Sequence, residues 1–216
     1  PEQLIANVQA EQNLLVAGRA ESLNATVGGD LELGALTLGR LTAAAGGQIT
    51  QTALSAIEIN EEASLGAQSV LLNNAGNDFK GIVNLAVAEN STVTDRNGLQ
   101  IQGASQSLNA SAENGTFIAG GTDKLQIERG TLTAATIELN QLDVTDAVRL
   151  QAELITQNEA ASTGGQITLA APVINLTHAE NNFAGDLILE GAGTVNLVSK
   201  HQLTVGGVVD QFNVSA

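Results

Sequence analysis

The chain of 216 residues reads as an all-β coil, a right-handed parallel β-helix, on three observations. Short segments of alternating apolar and polar residues succeed one another along its length. No stretch keeps a 3.6-residue period for three turns. Two long blocks repeat with no helical segment available to cross between parallel neighbours. Composition then fixes the kind of core: 43% of the residues are hydrophobic, nearly all Leu, Ile, Val and Ala, and Trp, Tyr, Met and Cys are absent. With only Phe79, Phe117, Phe183 and Phe212 as rings, the interior must be built from stacked aliphatic side chains.

The predicted strands follow in order. Asp30-Leu31-Glu32-Leu33, Leu36-Thr37-Leu38, Ala56-Ile57-Glu58-Ile59 and Ile82-Val83-Asn84-Leu85 each alternate and bury one face. The same holds for Leu99-Gln100-Ile101, Leu125-Gln126-Ile127, Ile137-Glu138-Leu139 and Val148-Arg149-Leu150. Ile167-Thr168-Leu169, Leu187-Ile188-Leu189 and Leu203-Thr204-Val205 complete the set, and Asp210 to Ser215 reads as one more turn. Between them stand Gly-Gly pairs at 28/29, 46/47, 120/121, 164/165 and 206/207 and Asn-Gly pairs at 97/98 and 114/115, which are turn signals. No amphipathic capping helix is visible at either end. A β-sandwich also alternates and turns on glycine, but it usually has longer strands and buries Trp or Tyr between its sheets.

Residues 75–103, AGNDFKGIVNLAVAENSTVTDRNGLQIQG, align without a gap on 179–207, AENNFAGDLILEGAGTVNLVSKHQLTVGG. Ala75/Ala179, Asn77/Asn181, Phe79/Phe183, Gly81/Gly185, Leu85/Leu189, Ala88/Ala192, Leu99/Leu203 and Gly103/Gly207 are identical, and Arg96/Lys200 is conservative. A coil with three strands and three corners takes roughly 20 residues per turn, so the chain predicts about ten to eleven turns in one domain over 1–216. At about 4.8 Å per turn the rod is near 50 Å long. The 104-residue offset then reads as about five turns. Gly46-Gly47-Gln48-Ile49-Thr50 echoes Gly164-Gly165-Gln166-Ile167-Thr168 at an offset of 118, which reads as the same kind of unit in a slipped register.

The motif Asn-(Asp/Asn)-Phe-x-Gly, followed by an alternating strand and then Leu-x-(Ile/Val), resembles the repeats of filamentous haemagglutinin and related large adhesins exported by two-partner secretion. It stands at Asn77 to Gly81 and at Asn181 to Gly185, with a weaker third copy at Asn114 to Gly120. The resemblance implies a parallel β-helix on the bacterial cell surface, secreted through an outer-membrane export pore, with an adhesive or spacer role. Phe79 and Phe183 would tuck in beside a corner and Gly81 and Gly185 would let the chain turn into the next strand. The Asn-Pro-Asn motifs of the export domain are absent, since the only prolines are Pro1 and Pro172. The chain therefore reads as a rod excerpt of a longer, processed protein.

Charge narrows the partners. The net charge is −15 and the eight Lys and Arg residues stand singly, so no basic patch is available for phosphates or anionic lipid. Nucleic acid and direct membrane insertion are not expected, and no apolar run approaches the ~18 residues of a span. The lack of cysteine excludes disulfides and thiolate metal sites.

A carbohydrate-active β-helix enzyme of the pectin-lyase type is the rival reading. It needs paired carboxylates with a basic residue nearby and usually an aromatic platform for the sugar. The candidates are Glu61/Glu62, Asp143/Asp146 and Glu180, with Arg149 close to the middle pair, and solvated charge is the simpler reading of each. His178 and His201 are isolated, no loop matches a calcium repeat, and neither metal nor cofactor is expected. Six Asn-x-Ser/Thr sequons occur, at Asn24, Asn90, Asn109, Asn114, Asn175 and Asn213, and polar turns or Asn ladders account for them more simply than glycosylation. Thr92-Val93-Thr94 and Thr131-Leu132-Thr133 do not recur once per turn, so no ice-binding array is expected. The sequence thus predicts a structural or adhesive rod with no catalysis of its own. Its expected partners are host-cell or matrix glycans and proteins, or other copies of itself, end to end or side by side.

Overall fold

The computed structural model describes residues 5–215, and every one of its strand pairings is parallel. Nineteen strands, from β1 (Ile5–Ala10) to β19 (Thr204–Ser215), join in one continuous sheet that winds as a solenoid, with no helix among the described residues. The coil presents three faces, called here A, B and C in the order the chain visits them. Face A begins with β1 and its partner segment Ser22–Val27 of β2 (Leu14–Val27). Face B begins at Leu14, and face C at Gly18, also within β2.

One inward column of face B shows how the stack is built. Leu14, Leu31, Ile49, Val70, Ser91, Leu108, Gly130, Val148, Ile167, Leu187 and Val205 lie one above the other. These are eleven rungs, at the upper end of the expected number. On each rung the column residue and those two positions away face inward and the alternate residues face outward, as the two-residue pleat demands. Leu31, Ile49, Leu108, Leu150, Leu169 and Leu187 have no exposed surface. Phe79, Phe117 and Phe183 are the largest wholly buried side chains, and the rest of the interior is aliphatic.

Neighbouring rungs are not equally long. The register offset is 17 residues between Ile5 and Ser22, 22 between Ala43 and Leu65, and 17 again between Asn90 and Ser107. Extra residues are absorbed at corners, so some strands run around a corner unbroken. β10 (Leu99–Ala119) does so through Asn114-Gly115, and β19 through Gly206-Gly207, two of the expected turn signals.

The register overturns both repeat assignments. From Ile49 to Ile167 the inward column of face B advances six whole rungs, so the 118-residue echo is in register. The 104-residue block is the slipped one: Phe79 pairs with Ile59 on face C, whereas Phe183 pairs with Thr163 on face A. The second copy therefore lies five turns and one further face along the coil. A side chain added at Gly81 would meet the Glu61 carbonyl at 1.2 Å, and at Gly185 the Gly165 carbonyl at 1.9 Å, so both glycines serve close approach to the preceding rung. Gly103 and Gly207 take φ of +95° and +114° beneath the carbonyls of Leu85 and Leu189, a backbone that side-chain-bearing residues avoid.

Candidate functional site

The repeated motif is a buried amide clasp. Asn77 and Asn181 have no exposed surface. Gln51 Nε2 donates to Asn77 Oδ1 at 2.6 Å, and Asn77 Nδ2 donates back to Gln51 Oε1 at 3.1 Å. Asn77 Nδ2 also donates to the Leu72 carbonyl, and the Ile57 N–H donates to Asn77 Oδ1 at 3.0 Å. Gln157 and Asn181 repeat the pair at 2.8 Å in both directions, with the Ala161 N–H and the carbonyls of Leu176 and Val198 completing the set. Every donor and acceptor of each buried amide is thus used, which makes this a polar group the core can hold. The clasp joins three stretches of chain from successive turns at one corner.

The tight turn before each clasp is also shared. Gly76 N–H donates to Asn74 Oδ1 at 2.8 Å, and Glu180 N–H donates to His178 Nδ1 at 3.1 Å. His178 therefore does the work of a turn asparagine. The third copy fails the same test: Asn114 is exposed and donates only to the Arg96 carbonyl, although Phe117 is fully buried.

The copies differ in charge behind the phenylalanine. In the first, Asp95 is buried and accepts the N–H groups of Phe79 at 2.6 Å and Asn97 at 2.7 Å. Burial pushes its carboxyl above the ordinary value; the two N–H groups pull the other way without cancelling it. Beside it the buried Asp78 carboxylate pairs with Arg96. Asn182, Ser199 and Lys200 stand in the second copy, and Ser199 Oγ is buried with no partner. Lys200 turns instead to Glu180 at 2.5 Å, which holds that carboxyl below its ordinary value.

None of the acid pairs drawn from the sequence forms a converging site. Glu61 and Glu62 both flank Arg40, at 3.2 and 3.9 Å. Asp146 meets Arg129 at 3.4 Å, Asp143 lines a different, shallow depression with Gln126 and Thr145, and Glu180 is held by Lys200. Arg149 reaches over two rungs to Glu190 at 2.5 Å, away from Asp143 and Asp146. No group of three or more His, Asp or Glu side chains is placed to hold a metal among the described residues.

Arg149 and Glu190 instead form the rim of an open groove of about 920 Å³ along the corner between faces B and C. Its floor is Ala112, Ala134, Ala135, Ala152, Ala171 and Pro172, and Glu113 and Glu153 stand at its edge. In the sequence, alanines close the face-B strands of these rungs, at Ala112, Ala134-Ala135, Ala152 and Ala170-Ala171, but only the register shows that they stack.

The sequons divide by geometry. Asn24 Nδ2 donates to Asn7 at 2.9 Å, and Asn213 to Asn196 and Asn196 to Asn175 at 2.9 and 2.7 Å, so three sequon asparagines belong to outward ladders. Asn90 and Asn109 are exposed. The two Thr-x-Thr segments do fall in the same face-B columns, with Asn109 and Ser111 on the rung between them and Arg149 on the next, which confines the row to a small patch.

A family model described as repeats of unknown function (DUF5649) matches residues 18–86 and 128–190. Each stretch contains one glutamine–asparagine pair of the clasp, Gln51 with Asn77 or Gln157 with Asn181. The description names neither an adhesin nor an activity. No curated protein and no solved structure matched the chain.

Proposed function

The chain belongs to this family of repeats, and we propose that it is a structural or adhesive rod segment of a secreted bacterial cell-surface protein, spacing or displaying a binding region. One observation carries the reading: the outer side chains are committed to tying rung to rung. Arg40, Lys80, Arg96, Arg129, Arg149 and Lys200 each reach a carboxylate on another rung, and the Asn ladders do the same without charge. Exposed pairs of this kind contribute little singly, but repeated along a one-dimensional stack they resist bending and shear.

The test is binding to a glycan array and to matrix proteins, run beside a reducing-sugar release assay on the same polysaccharides. Binding without turnover supports an adhesive rod, and neither binding nor turnover supports a spacer. Release of sugar ends sinks both. It would move the reading to a carbohydrate-active enzyme and to the groove where Arg149 and Glu190 meet, since that is where a basic residue and carboxylates share a concave surface.

A further inference from the structure

Leu54 is the most exposed large apolar side chain, at 98%, and its φ of +63° lies in the left-handed region. It sits on the loop between β4 (Gln48–Gln51) and β5 (Ile57–Ala67), at the same corner of the coil as the alanine-floored groove. The loop is held at both ends: Thr52 N–H donates to the Leu33 carbonyl at 2.9 Å, and the clasp residue Gln51 donates to the Ser55 carbonyl. An anchored loop thus presents a leucine outward, in a backbone conformation that side-chain-bearing residues rarely adopt.

The register sets the spacing along this edge. From the rung of Gln51 the column runs through Leu72, Val93, Ala110 and Leu132 to Leu150, whose rung carries Ala152 and Glu153 in the groove. Leu54 and the groove centre are five rungs apart, about 24 Å at the spacing of parallel strands. Between them lie Arg96, half exposed and bonded on one side to Asp78, and Glu113, exposed and one rung further on with no ion pair among the described residues.

We propose that this edge is a self-pairing surface whose occupant is a second copy of the chain, lying antiparallel. A two-fold axis between the rungs of Arg96 and Glu113 places each Leu54 over the Ala152 level of the partner's groove. It also brings each Arg96 opposite the other copy's Glu113. The apolar knob, the alanine floor of the groove and the opposite charges are therefore satisfied together by one symmetric arrangement, the hallmark of an isologous contact. This goes beyond the rod reading and does not depend on what the rod binds.

The absence of cysteine makes the test clean. A chain carrying both Leu54→Cys and Glu153→Cys should, on oxidation, give covalent dimers with no higher species, and Leu54→Cys alone should not cross-link. Sedimentation of the unmodified chain should show a monomer–dimer equilibrium. Leu54→Asp or Ala135→Arg, both at exposed positions, should weaken it by about tenfold or more with the far-ultraviolet spectrum unchanged. A monomer at the highest soluble concentration, or a cross-linked ladder beyond the dimer, overturns the proposal. Both outcomes leave the glycan and matrix binding assays untouched.

Discussion

At the scale of single residues, the clasp asparagines carry the sharpest consequences. Asn77→Leu strands the Gln51 amide and the Ile57 N–H in a dry corner and should cost on the order of 3 kcal/mol, read from urea unfolding. Adding Gln51→Leu should recover part of that loss, since removing both partners is cheaper than orphaning one. At the second turn, His178→Asn should leave the thermal midpoint unchanged because Asn74 already fills the equivalent role, whereas His178→Ala should lower it. Asp95 gives the pH dependence. Its folded carboxyl binds its proton more tightly than the unfolded one, so its contribution is fully present below the ordinary value of 3.8 and is lost as pH rises through the raised value. Asp95→Asn forfeits one of the two N–H contacts at every pH. The stability of the native chain relative to this variant should therefore fall as pH climbs from about 3.8, in a series of unfolding midpoints; a flat difference would remove the burial account.

At the scale of elements, the strands were legible and their neighbours were not. Alternation alone located Leu31-Glu32-Leu33 and Ile167-Thr168-Leu169, because burial on one face leaves a period of two in any sheet. Stacking depends on corner length, which varies from rung to rung without a marker; hence sequence spacing makes the 104-residue offset look in register and the 118-residue offset slipped, the reverse of the structure. The clasp was half legible for a similar reason. Asn77 and Asn181 stood out as identities, but their glutamine partners lie 26 and 24 residues upstream, a difference that a gapless alignment cannot follow. Leu54 gave no signal at all, since a leucine in a polar loop reads as ordinary until its φ is known. Leu54→Gly should raise stability by about 1 kcal/mol, because glycine accepts that backbone without strain.

At the scale of the whole molecule, stability is set by nearest neighbours along the axis, so it should be highest in the middle and lowest where a rung has one neighbour. The inward residues of β19 show the difference: Phe212 and Val214 remain 41% and 51% exposed although Val195 and Leu197 beneath them are buried. Amide exchange followed by mass spectrometry should release 204–215 first and Leu125–Leu139 last; uniform exchange would mean that the coil opens as one unit.

The displacement of the second block by one face has a consequence for how such chains lengthen. A duplication that had to contain whole turns would be tolerated at few breakpoints. Here the same clasp, phenylalanine and glycine serve at two different corners, so these two of the three corners are interchangeable sockets. Recombination can therefore insert or remove a single side of the triangle, and the protein can change reach in increments much finer than one circuit while rotating whatever it carries about its own axis.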